Sequence, residues 1–453
     1  MQIDRSIFKA YDIRGLIESQ VTPELAYAIG RGFATLLRDE VDDIMRISVG
    51  RDMRPSSVVF QKEVMRGLQD AGCDVVDVGL VSTPAFYFSI DHVGAHGGIM
   101  VSASHNPAAY NGFKLVRAHA VPVSGETGIA ELATIIEQED FVESDTVGEL
   151  EVVQGVPEAF VAMSLAFAGD DPVGAWKIVA DSANGMGAQY LDGMFEALGM
   201  DVDRMFWELD GTFPNHEADP LKAENVEAIS KRIVKTGANM GIATDGDGDR
   251  IFFLDEKGRV FDPAILRGLI AQIVLRDHPG AAIGYDIRPG KITQDMIVEA
   301  GGVPFVTRVG HSLIKEKMRE MSAPFSGESS GHFFYQYENG SYEGPVTVAV
   351  HLMQELTRRG MSLAQLADEY ARYVHSGEIN FVVDDKEAKI NEIKAAFPDG
   401  ELNELDGITI TYDDFWFNVR PSNTESKLRL NLEAVDQETM QKRRDEVIAI
   451  IKK

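Results

Sequence analysis

Three aspartates, Asp245, Asp247 and Asp249, alternate with Gly246 and Gly248. In extended chain, alternate side chains project to one face, and the glycines let the backbone bend until the carboxylates converge. Carboxylates so close repel one another unless protonated or bound to a cation. Hard divalent cations take oxygen ligands, so magnesium is the candidate. A solvated acidic turn has the same spacing. An EF-hand does not fit: Arg250 occupies the place of its required Gly, although Glu256 stands at the twelfth position from Asp245.

Ser104 follows the apolar run Gly98–Val101 and precedes His105, Asn106 and Pro107. Ser and Asn cap helices and Pro suits a first turn, so a capped turn is one reading. The Gly-x-Ser-x-Gly of a serine hydrolase is absent, since Ser102 and Asn106 take the glycine places. A serine can also carry a phosphoryl group. Phosphoryl transfer needs charge neutralisation and positioning more than a strong nucleophile, which a cation on the three aspartates would supply. Lys114, ten residues on, and Arg14, in Tyr11-Asp-Ile-Arg14, are further cations, each equally open to a surface or ion-pair role.

Two other loops carry recognition chemistry. Gly327-Glu328-Ser329-Ser330-Gly331-His332 holds an acceptor, hydroxyls and an imidazole between glycines, the groups that read sugar hydroxyls. Arg420, Ser422, Asn423 and Thr424 form an arginine-plus-hydroxyl cluster suited to a phosphate dianion, or a capped turn. No Walker A loop is present: Gly284 to Lys291 is one residue too long and has Ile292 where Ser or Thr is needed.

These loops fall at equivalent places in three stretches of similar order. Ile47–Gly50 reads as a strand, followed by Arg51-Asp52-Met-Arg54-Pro55, a helix to Ala71, a strand Val75–Val78, and the run that ends at Ser104. Lys177–Ala180 opens the second copy, which ends at the aspartates. Ala282–Gly284 opens the third, which ends at Glu328. The sharpest echo is Arg51-Asp-Met-Arg-Pro against Tyr285-Asp-Ile-Arg-Pro. Short apolar strands alternating with helices, with glycines at helix exits, predict βαβ units whose ligand loops lie beyond the strands' carboxyl ends. From about Ser376 the pattern changes to an α+β domain: strand Ile379–Val383, helix Lys386–Phe397, strands Ile408–Thr411, Trp416–Val419 and Leu428–Leu432, and a helix from Gln437.

The chain has 453 residues, enough for several domains without disulfides or structural metals. With 43 Lys and Arg against 72 Asp and Glu, its net charge of −29 argues against nucleic-acid binding, and an anionic substrate would need a local positive site. A single cysteine, Cys73, excludes an intrachain disulfide framework and points to a reducing compartment. The charged start Met1–Gly15 lacks a signal-peptide core, and no apolar run approaches membrane length, so a cytoplasmic protein with no membrane partner is expected.

The assembled motifs resemble the α-D-phosphohexomutase superfamily, most nearly its bacterial phosphomannomutase/phosphoglucomutase branch, over essentially the full length. The resemblance rests on Phe8–Gly15, Ser102–Pro107, Asp245–Arg250, Gly327–His332 and 420–425 in the family's order. Ser329 and Ser426 depart from the family's common residues at loop positions. The resemblance implies an α/β fold: three similar mixed-sheet domains, 1–150, 151–255 and 256–373, and an α+β domain, 374–453, around a central cleft. It implies a phosphorylated Ser104 with Mg²⁺ on Asp245, Asp247 and Asp249. His105, Lys114, Arg14 and His311 are the expected catalytic partners. Tyr11, Arg250, Arg288, Glu328, Ser330 and His332, with Arg420, Ser422, Asn423, Thr424 and Arg429, are expected to bind substrate. The implied reaction interconverts hexose 1- and 6-phosphates, of mannose, glucose or both, through a hexose 1,6-bisphosphate, in a monomer or homodimer. A phosphoglucosamine mutase and a sugar-phosphate phosphatase are the alternatives.

Overall fold

The computed structural model describes residues 1–41, 44–288, 290–421 and 427–453. Packing divides the chain into two compact units, Met1–Phe261 with Ser330–Ala364, and Asp262–Ser329 with Gln365–Lys453.

The first unit holds two mixed sheets of one design. In the first sheet, Arg46–Arg51 lies between Asp74–Leu80 and Gly97–Val101, all parallel, and Tyr110–Arg117 returns antiparallel beside Gly97–Val101. In the second, Lys177–Asp181 lies between Asp201–Met205 and Met240–Thr244, and Ile251–Asp255 returns antiparallel. The third strand of each set, Gly97–Val101 and Met240–Thr244, is buried along its whole length, which is why both read as unbroken small or apolar runs. Ile47, Val49, Val64, Leu68, Ile99, Val101 and Phe113 form one core with the helix Pro23–Leu37. Full burial contributes roughly 1.5–3 kcal/mol per large apolar side chain, so this layer fixes the strand ends from which the polar loops depart. The hairpin Phe333–Tyr337 and Gly340–Glu343 and the helix Pro345–Arg359 complete the unit.

The second unit repeats the parallel core, with Ala282–Asp286 between Val303–Thr307 and Phe325–Gly327. Its other part is an antiparallel sheet in the order Val374–His375, Lys427–Ala434, Phe415–Pro421, Ile408–Thr411, Glu401–Asn403, with Ile379–Val382 also on Lys427–Ala434. Helices Lys386–Ala396 and Gln437–Ile451 cover it. The protein thus has three mixed α/β sheets and a fourth, antiparallel one. Two strands run longer than their sequence signal, as Phe415–Pro421 and Lys427–Ala434, because residues 415–421 pair with 428–434 throughout and Lys427 pairs with Val382. Glu401–Asn403 gave no signal because all three of its residues are exposed. Among the described residues, no helix is long and apolar enough to cross a membrane.

Within the second unit, Glu433 ties the antiparallel sheet to the helix Lys291–Glu299. Its Oε2 accepts from Gly290 N and Lys291 N at 3.1 Å and from Trp416 Nε1 at 2.8 Å. Burial outweighs these donors and pushes the carboxyl up to about 7. A carboxyl raised on folding contributes stability below its ordinary range and loses it as pH rises through the folded value. Glu433→Gln removes that loss, so the variant should gain up to about 3 kcal/mol over the wild type between about pH 5 and 8. Paired thermal melts across that range test this, and a difference that stays flat with pH contradicts it.

Candidate active site

The serine and aspartate loops leave equivalent strand ends and meet in the first unit. Ser104 Oγ lies 3.0 Å from Asp245 Oδ2 and 3.1 Å from His105 Nδ1. Ser104 is buried and holds φ at 51°, a left-handed conformation that side chains rarely adopt. Its backbone N–H donates to Ser102 Oγ at 2.9 Å. Gly246 is required beside it, because a Cβ there would stand 2.6 Å from the Ser104 carbonyl oxygen.

Asp245, Asp247 and Asp249 are all buried, with one oxygen from each lying within 4.8 Å of the others. Burial, with Asp249 and Asp247 beside it, pushes the Asp245 carboxyl well up. Asp249 goes the other way: burial raises it, but Lys114 and His332 outweigh burial and hold it well down. Asp247 Oδ1 is buried without a hydrogen-bond partner. Three converging carboxylates, an orphaned oxygen and a serine hydroxyl form an oxygen-only donor set that fits a hard divalent cation.

Lys114 Nζ lies 2.7 Å from Asp247 Oδ2 and 2.6 Å from Asp249 Oδ2. Burial would lower its pKa, but these two carboxylates raise it well above the ordinary value. Arg14 nearby also lowers it, and the two carboxylates outweigh that as well. Arg14 donates to Asp12 at 2.6 Å, to Asn106 Oδ1 at 3.0 Å and to the Ala103 carbonyl at 3.3 Å, so it braces the serine loop. Tyr11 is half-buried in the preceding turn. Arg250 N donates to Asp245 Oδ1 at 3.2 Å, and its Nη1 is 3.5 Å from Asp219. Burial, with Arg250 and Arg14 nearby, holds His105 well below its ordinary pKa and so neutral.

The loop 327–332 is divided between the units. His332 and Ser330 belong with the aspartates: His332 Nε2 is 3.1 Å from Asp249 Oδ1, and its Nδ1 is 2.9 Å from Ser330 Oγ. Glu328 belongs to the second unit, where its Oε1 accepts from Gly310 N at 3.1 Å and stands 3.1 Å from Arg288 Nη2. His311 begins the helix that follows Gly310. Arg420 and Arg429 are cross-strand partners, 3.3 and 3.6 Å from Glu378. Burial, with Arg288 nearby, lowers the pKa of the Arg420 guanidinium. These arginines give the second unit a positive locus on an acidic chain. Ser422, Asn423 and Thr424 lie outside the described residues.

Several participants had no sequence signal. Thr83, at the start of the helix Thr83–His92, donates from Oγ1 to Asp247 Oδ2 at 2.6 Å. Glu378 orients Arg420 from an ordinary-looking acidic position.

Four consecutive stretches, 5–143, 167–258, 262–373 and 378–450, match the four phosphoglucomutase/phosphomannomutase domains: the α/β/α domains I, II and III and the C-terminal domain. The chain belongs to the phosphoglucomutase/phosphomannomutase family. It is a phosphohexomutase, an intramolecular phosphotransferase. A phosphomannomutase of Salmonella montevideo is 36% identical over 456 residues, covering 98% of both chains. A phosphomannomutase/phosphoglucomutase of Pseudomonas putida is 36% identical over 97% of this chain and 94% of its own. The crystal structure of a family protein from Burkholderia thailandensis superposes with a TM-score of 0.88 at 32% identity, covering 100% of this chain and 98% of the other.

Proposed function

We propose that the enzyme interconverts the 1- and 6-phosphates of mannose, glucose or both, through phosphorylated Ser104 and a hexose 1,6-bisphosphate. The observation that carries this reading is the serine hydroxyl 3.0 Å from Asp245 within the buried carboxylate cluster. The names of the relatives support the choice of sugars. The functional division follows domains 1–150, 151–255, 256–373 and 374–453, which carry the serine, the aspartates, the sugar loop and the phosphate loop.

A sugar hydroxyl oxygen bonds to phosphorus as the bond from phosphorus to Ser104 Oγ breaks. The hydroxyl proton passes to a base and Ser104 Oγ takes up a proton, leaving free serine and the bisphosphate. The second half-reaction returns the other phosphoryl group to Ser104. Mg²⁺ on Asp245, Asp247 and Asp249 with the seryl oxygen would supply charge neutralisation. Lys114, backed by Arg14, is the general acid: the carboxylates beside it keep it charged, so it donates the proton that Ser104 Oγ takes up. Neutral His105, 3.1 Å from Ser104 Oγ, accepts the serine proton in the return half-reaction, and His311, the imidazole that the second unit offers, is the base for the sugar hydroxyl proton. Tyr11, Arg250, Arg288, Glu328, Ser330 and His332 read the sugar. Arg420, Arg429 and the hydroxyl and amide residues 422–424 hold the non-reacting phosphate.

The test is an isomerisation assay with mannose 1-phosphate and glucose 1-phosphate, Mg²⁺ and a catalytic amount of the bisphosphate. Formation of the 6-phosphate is expected. Release of inorganic phosphate without an isomer rules the reading out.

A further inference from the structure

Of the two arginines in the Asp-x-Arg-Pro echo, Arg288 has a part in the chemistry above and Arg54 has none, yet both point at the loop after the third strand of their own repeat. In the third, Arg288 Nε pairs with Asp286 at 2.5 Å and Nη2 reaches Glu328 at 3.1 Å. In the first, Asp52 and Arg54 are buried, with Asp52 Oδ2 3.2 Å from Arg54 Nε. Asp52 Oδ1 is itself fixed, accepting from Ser57 Oγ at 2.6 Å and from Arg54 N at 3.0 Å.

The Arg54 guanidinium then spends its remaining donors on one segment. Nη2 donates to the carbonyls of Asn106 at 2.6 Å and Ser104 at 2.9 Å, and Nη1 to those of Pro107 at 2.9 Å and Tyr110 at 3.0 Å. The Phe213 ring closes over it, 5.0 Å away. The Ser104 carbonyl is the one that Gly246 approaches, so Arg54 holds the serine loop at its contact with the aspartate loop.

We infer that Arg54 is a positioning residue for phosphoryl transfer: it locks the left-handed Ser104 turn so that Oγ stays aimed at the carboxylate cluster. The inference rests on Ser104 as the phosphoryl carrier. A guanidinium suits the task because its planar fork carries five donors at fixed angles, whereas a lysine has three on one rotating centre. Arg54 reaches the serine loop through backbone carbonyls and pairs with Asp52, while its charge is also felt at Asp247. Its loss should therefore fall on the chemical step, since a misplacement of about 1 Å can cost about 100-fold in rate.

Arg54→Ala and Arg54→Lys test this, with kcat, KM and Ser104 phosphorylation by the bisphosphate (intact mass) measured beside circular dichroism. Folded variants should lose about 100-fold in kcat, keep KM within about threefold, and phosphorylate slowly. Guanidinium ion should restore part of the Arg54→Ala turnover, which a general loss of stability would not allow. A folded variant with near-normal kcat, or a loss confined to KM, overturns the inference. If Arg54→Ala does not fold, Arg54→Lys decides alone on the same criteria. Wild-type enzyme lacking phosphate on Ser104 would instead reject the phosphoserine reading, so the two failures are distinguishable.

Discussion

Ser104→Ala should leave no phosphoenzyme and lower mutase turnover by at least about 10⁴-fold. The side chain is the only proposed carrier of the phosphoryl group, and no neighbour can replace it. The Ser102 hydroxyl is already engaged, accepting the Ser104 N–H at 2.9 Å and donating to Asp247 Oδ2 at 3.4 Å. The fold should survive the change. Asp245 Oδ1 keeps N–H donors from Gly248 at 3.1 Å and Arg250 at 3.2 Å, and Oδ2, which loses the serine, still has Arg250 Nε 3.9 Å away. Losing the serine hydroxyl bond should cost about 1 kcal/mol of stability. Ser104→Gly is a useful companion, because glycine tolerates the φ of 51° and separates backbone strain from chemistry. The measurements are intact mass after incubation with the bisphosphate, turnover in the isomerisation assay, and a thermal melt. Turnover within tenfold of the wild type by both folded variants would end the case for Ser104.

Much of this site was legible because its parts are contiguous in sequence. Asp245-Gly-Asp-Gly-Asp carries its own geometry, and the serine loop sits directly after a strand that is apolar end to end. The three-fold repeat was legible because the same strand order imposes the same burial pattern on Gly97–Val101 and Met240–Thr244. What was hidden depends on partners distant in the chain. The charge state of Lys114 is set by carboxylates more than 130 residues away, and no local pattern announces them. Thr83 reaches Asp247 across a similar interval. The Gly327–His332 loop looked like one sugar-reading device. In three dimensions His332 is drawn to Asp249 while Glu328 stays with Arg288, a division that follows from packing and not from composition. Arg54 lay in between: its echo with Arg288 was visible, but four carbonyl contacts were needed to give it a role.

Removing divalent metal should abolish turnover, by more than about 10³-fold, and destabilise the first unit in a pH-dependent way. The three buried carboxylates have only part of their charge answered by protein: Lys114 and His332 serve Asp249, and Lys114 also serves Asp247. Asp245 is pushed up by burial and by its two neighbours, so in metal-free protein it holds a proton to higher pH than a free carboxyl. A group with a raised folded pKa contributes stability that is present at low pH and lost as pH rises through that value. Metal-free protein should therefore weaken as pH rises from the ordinary carboxyl range, while Mg²⁺-loaded protein should not. The gap in melting temperature between the two should widen with pH. At a metal concentration of about 100 times the dissociation constant, the bound ion should contribute about 2.7 kcal/mol. Asp245→Asn removes one ligand and most of the repulsion together. It should melt above chelated wild type at neutral pH, yet turn over no faster than chelated enzyme when Mg²⁺ is present. Melts with and without chelator at several pH values, with turnover measured on the same samples, make the test. A melting temperature indifferent to Mg²⁺ at every pH, with activity that survives chelation, would leave the carboxylate cluster without a cation to hold.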